Sequence, residues 1–149
     1  MNKDVLIICQ SNYQGNTQKI ADAMAGKLDC CCINSEEAMK ENLSSYKVIG
    51  LGSGIYHGQH HLKLFNLIGN INSNQKVFLF STHGSPFLGK YHNKLKKELE
   101  NNHIEILGEF SCKGYDLMGL YKIVGGVHKG RPNKKDQEKA VRFITGLLG

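Results

Sequence analysis

A chain of 149 residues is the size of one domain, since single cores run to roughly 100–200 residues, and 1–149 is expected to fold as a unit. Its 40% hydrophobic and 21% charged residues are ordinary for a globular protein and set aside disorder, collagen-like repeats and coiled coil. The net charge of +6 gathers at Lys122, Lys129, Arg131, Lys134 and Lys135 without interleaved aromatics or a nucleic-acid motif. It points to an acidic partner or plain solvation, with no nucleic acid expected.

Residues 4–9 (DVLIIC) form a continuous apolar run, as a central strand covered on both faces should. The run is far shorter than the roughly 18 residues of a spanning helix, and shorter than the apolar part of a secretory leader, so the cytoplasm and no membrane insertion are expected. A helix over 17–28 carries Ile20, Ala21, Met24, Ala25 and Leu28 on one face. The stretch 30–33 reads as a short edge strand, 36–41 as a short helix and 46–51 (YKVIGL) as the third strand. A helix over 60–68 would place His61, Leu64, Phe65 and Ile68 together.

Residues 76–81 (KVFLFS) are the fourth strand, 91–101 a helix rich in lysine and glutamate, and 104–111 the fifth strand, with Gly108 at a bulge or close approach. The stretch 112–131 has no clear period and reads as a long packed loop. Pro132 and Asn133 announce a last helix, in which Asn133 caps and Asp136 answers in the manner of a capping box, with Val141, Ile144 and Leu148 as its buried stripe. Cys9, Cys30, Cys31, Cys32 and Cys112 make an odd set without a CxxC pair, which suits reduced thiols.

The alternation of strands and helices predicts an α/β fold: a doubly wound five-stranded parallel sheet with helices on both faces. Right-handed crossovers favour the order 2-1-3-4-5. That order opens a crevice at the carboxyl ends of strands 1 and 3, which directs attention to the loops 10–16, 52–60 and 82–90.

The first of these, Ser11-Asn12-Tyr13-Gln14-Gly15-Asn16-Thr17, leads straight into a helix. Such a turn offers backbone N–H groups and neutral hydroxyls at the positive end of the helix dipole, a ready phosphate site; a plain N-cap is the bland alternative. After strand 3, Ser53, Gly54, Ile55, Tyr56, His57 and Gly58 form a glycine-rich turn with an aromatic able to stack on a ring. After strand 4, Ser81, Thr82, His83, Gly84 and Ser85 supply further donors. His57, His60 and His61 lack matching cysteine or carboxylate spacing, so no metal is expected.

The segment 11–17 resembles the phosphate loop of flavodoxins in the Ser-x-x-x-Gly-Asn-Thr form found in bacterial and archaeal members, and the similarity extends to 108–114 and 125–133. The resemblance implies a flavodoxin-like domain with FMN as cofactor, its phosphate on residues 11–17 and its ring against 53–58 and 81–85. It also implies a glycine at 58 free to flip its peptide with redox state. Acidic residues common around the third loop in flavodoxins are missing here, which implies a less negative potential.

Cys9 is followed at the phosphatase offset by Gly15 rather than arginine, no aspartate ends strand 3, and GxGxxG is absent. Those departures exclude tyrosine phosphatase, response regulator and dinucleotide binder. The expected function is electron transfer to a redox protein partner by a monomer or weak dimer, with no catalytic side chain. An FMN-dependent NAD(P)H:quinone reductase and a flavin-free binding module are the alternatives.

Overall fold

The computed structural model describes residues 1–11, 15–84, 90–114 and 130–148. β1 (Val5–Gln10) is buried along its whole length. Leu6 and Ile8 join one core layer, while Val5, Ile7 and Cys9 join the other. That two-sided burial is why its sequence is continuously apolar rather than alternating.

Around it lie β2 (Cys31–Ile33), β3 (Val48–Tyr56), β5 (Lys76–His83) and β6 (Glu105–Lys113), parallel and in the order β2-β1-β3-β5-β6. A two-residue strand, β4 (Gln59–His60), pairs antiparallel with the end of β3 outside that path. With β4 set aside, the order is the expected 2-1-3-4-5. α1 (Asn16–Leu28) and α5 (Lys134–Leu148) cover one face, with Ile20, Met24, Ala140 and Ile144 against the sheet. α2 (Ser35–Met39), α3 (Leu62–Phe65) and α4 (Asn93–Asn101) contribute Ala38, Leu64, Leu95 and Leu99 to the other.

The face covered by α1 and α5 depends on two close approaches. Phe78 and Phe80 on β5 lie over Gly50 and Gly52, their register partners on β3. A Cβ at those positions would come within 2.3 Å and 2.1 Å of the rings. Gly108, expected at a bulge or a close approach, has both. The β5–β6 register slips beside it, and a Cβ there would meet Leu147 at 3.0 Å.

Three strands outrun their apolar runs: β3 continues to Tyr56, β5 to His83 and β6 to Lys113. Backbone ladders do not depend on side-chain polarity, so the pairing persists where the core ends. The helix expected over 60–68 is replaced by β4, the single turn α3 and a 3₁₀ turn, Ile68–Asn70. The reason lies in His57 and Gly58, whose φ values of 52° and 78° form the twisted two-residue turn that folds a chain back as a hairpin.

The last helix starts as expected. Asn133 Oδ1 accepts from the Asp136 N–H at 3.0 Å, and Asp136 Oδ2 accepts from the Asn133 N–H at 2.8 Å. Of the long loop expected over 112–131, residues 112 and 113 belong to β6, and 115–129 lie outside the described residues. Among the described residues no helix is long and apolar enough to cross a membrane.

Candidate functional site at the carboxyl ends of the strands

Four strands change from apolar to polar at one level of the sheet. Gln10, Ser53, Ser81 and Ser111 are register neighbours across β1, β3, β5 and β6, and Gly54, Thr82 and Cys112 form the next row. Buried polar groups need partners, and this row has them. The Ser35 hydroxyl bonds to the Gln10 carboxamide. Ser53 Oγ accepts from the His61 N–H at 2.9 Å and donates to the Gly54 carbonyl at 2.7 Å. Ser81 Oγ lies 2.6 Å from His92 Nε2 and 2.7 Å from Ser111 Oγ. Above the row the apolar core ends.

At the same end of the sheet the chain enters α1. Gly15 turns in the left-handed region with open space where a side chain would be, and it offers no side-chain cap of its own. Ser11 Oγ instead accepts from the Gln18 N–H at 3.3 Å. The first turn of α1 carries no acidic residue, which leaves the helix dipole uncompensated there. Thr17 is 2% exposed, and its hydroxyl sits 2.8 Å from that of Thr82, a contact that ties α1 to β5 and uses one of the two O–H donors. Asn16 packs against the chain leaving β6, where a Cβ at Gly114 would come 2.9 Å from its amide nitrogen. Asn12, Tyr13 and Gln14 lie outside the described residues.

The residues expected in a ring loop after strand 3 are placed differently. Ser53, Gly54, Ile55 and Tyr56 belong to β3, and only His57 and Gly58 form the turn. Tyr56 lies along the strand over Gly54, with its ring edge-on to His61 at 5.3 Å. Likewise Ser81, Thr82 and His83 belong to β5, Gly84 follows it, and Ser85 lies outside the described residues. The His83 ring lies 5.1 Å from Tyr91, across the base of the third loop.

The three neighbouring histidines are sent to three places. His57 is exposed at the hairpin tip, His60 is buried under the sheet end, and His61 Nδ1 caps α3 by accepting from the Lys63 N–H at 3.1 Å.

Sequence reasoning missed His92 and Glu109 as members of this region, and it placed His60 in the loop 52–60 without seeing that its ring is buried. His60 Nε2 stands 3.0 Å from the Phe80 carbonyl, and burial pushes its pKa down to about 3. His92 is likewise lowered by burial, against the opposing pull of Glu109. Partial burial acts to raise Glu109, but Lys96, at 2.7 Å, and His92 prevail and hold its carboxyl below the usual range. Burial and the nearby Asp136 push the Cys112 thiol up to about 12, so it packs as an unreactive thiol. Burial of a histidine ring leaves no mark in the sequence, because its periodicity belongs to the strand around it.

A left-handed glycine ahead of a helix with no acid in its first turn, neutral donors and glycine-bearing strand ends stand together at the topological switch point of a doubly wound α/β protein. The donor set suits the phosphate and ring of a flavin mononucleotide, and the open space at Gly15 and Gly58 leaves backbone approachable at both ends.

The chain belongs to the flavodoxin family: residues 6–120 match the family model described as a flavodoxin domain. It is 41% identical over 145 residues to an uncharacterised protein of Methanocaldococcus jannaschii, a match covering 96% of this chain and 97% of that protein. Its fold is similar to that of a flavodoxin from the domain Archaea, with TM-score 0.70 and 12% identity over 96% of this chain and 94% of that one. It is similar also to oxidised flavodoxin 2 from Bacillus cereus, with TM-score 0.71 and 18% identity over 97% of each chain. At family level, flavodoxins bind FMN and transfer electrons.

Proposed function

We propose that this chain binds FMN through residues 11–17, 53–58 and 81–85 and carries electrons to a redox protein partner in the cytoplasm. The observation that carries this reading is the opening of α1. It follows the central strand in sequence, turns on a left-handed Gly15 and carries no acidic residue in its first turn. A phosphate dianion there gains charge-assisted bonds from fixed donors without a paired cation. Chemistry is supplied by the flavin when bound; the protein orients it and tunes its potential. The free cysteines suit a reducing compartment.

Calorimetric and fluorescence titration of the purified chain with FMN tests the reading. One-to-one quenching is expected, with riboflavin bound at least about tenfold more weakly because it lacks the phosphate. No affinity for FMN overturns it and leaves a binding module on the same fold. Rapid NADH oxidation by the loaded protein in the presence of a quinone reassigns it as an FMN-dependent reductase.

A further inference from the structure

The bases of the second and third loops are joined by a small polar cluster, of which the electron-carrier reading uses only Ser81 and His83. Ser81 and His83 precede the third loop, and Tyr91 and His92 follow it. The Ser81–His92 contact at 2.6 Å and the His83–Tyr91 ring contact therefore close that loop at its foot. The second loop is the β3–β4 hairpin, and His60 is its last strand residue. The His60 ring lies 4.6 Å from that of His92, tilted by 38°, and its Nε2 reaches the Phe80 carbonyl on β5.

We infer that His92, gripped by Ser81, faced by Glu109 and stacked on His60, is the positioning residue that fixes the two ring loops relative to each other. The inference rests on the FMN reading above.

The hydrogen positions follow from the partners. A carbonyl only accepts, so His60 carries its proton on Nε2. His92 Nδ1 lies 3.2 Å from Glu109 Oε1, off the straight line of a hydrogen bond but close enough for the carboxylate to favour a proton on that nitrogen. His92 Nε2 then accepts from the Ser81 hydroxyl, and Ser81 accepts in turn from Ser111. Each bond has one direction, so the cluster has one arrangement. Burial keeps both rings neutral, which is what two stacked imidazoles require. The charged and titratable groups facing His92 are Glu109 from β6, Lys96 from α4, His83 from β5 and His60 from β4.

The test uses the full chain with FMN and riboflavin as probes. His92→Phe keeps the ring packing on His60 and removes both nitrogens. It is expected to weaken both flavins by about tenfold, as loss of a buried hydrogen bond does, equally because the phosphate end is untouched. It should also shift the visible band of the bound flavin and its midpoint potential. His92→Gln, whose amide oxygen can accept from Ser81, should return affinity to within about threefold of wild type. Ser81→Ala should match His92→Phe.

In the flavin-free protein, His92→Phe should speed amide exchange at Gln59 and His60, on the other loop. Wild-type binding with His92→Phe and Ser81→Ala both within about twofold of it, spectrum and potential unchanged, overturns the inference alone. A wild-type chain that binds no flavin overturns the parent reading, and this inference with it.

Discussion

His60 is 1% exposed and is held neutral where an unfolded chain would let it titrate. Its pKa falls from 6.5 to about 3 through burial and the adjacent His92. Below pH 6.5 the unfolded state therefore binds a proton that the folded state refuses. Stability is fully present above that value and declines as pH falls toward the folded pKa, by up to about 1.4 kcal/mol per pH unit for one such group. Urea midpoints of the flavin-free protein should drop between pH 7 and pH 4, and His60→Gln should flatten the profile by one proton. A profile unchanged by that substitution shows that His60 is not the titrating group. Nothing in the local pattern separates His60 from His57 and His61; the hairpin turn decides which ring is swallowed.

At the scale of elements, the contact between β3 and β5 shows how pairs of strands share a layer. Gly50 and Gly52 leave gaps that Phe78 and Phe80 fill from the next strand. Gly52→Ala would drive a methyl into a ring that is wholly buried, so the cost should be about 3 kcal/mol, at the upper end of overpacking penalties. Chemical denaturation reads this directly, and adding Phe80→Leu should recover part of the loss if the ring is the obstacle. A Gly52→Ala chain as stable as wild type would mean that the sheet shifts to make room. The apolar runs of β1, β3 and β5 were legible because two-sided burial writes hydrophobicity into every position. Their polar ends were not, since Ser53 and Thr82 read as loop residues until pairing shows them in the ladder.

At the scale of the whole molecule, charge matters more than any single lysine. Lys90, Lys94, Lys97, Lys113, Lys134, Lys135 and Lys139 are all exposed, whereas Lys122 and Lys129 of the basic segment lie outside the described residues. A net charge of +6 steers an oppositely charged partner over a distance set by the Debye length, about 10 Å at 0.1 M salt. If an acidic redox protein is the partner, stopped-flow reduction of the FMN-loaded chain should slow steeply as ionic strength rises. A salt-insensitive rate would remove the electrostatic part of the proposal.

Sequence alone determined the alternation of strands and helices, the order of the sheet, the capping of α5 and the place where a ligand would be sought. Each of these is written in local chemistry: apolar runs, helical spacing, a glycine before a helix, an asparagine three residues before an aspartate. Tertiary structure alone decided where the strands stop, that residues 59–60 pair back on β3, and that Ser81, His92 and His60 meet between β5, β4 and the start of α4. Those contacts join residues far apart in the chain, and a buried polar side chain declares itself only when its partner arrives from another element.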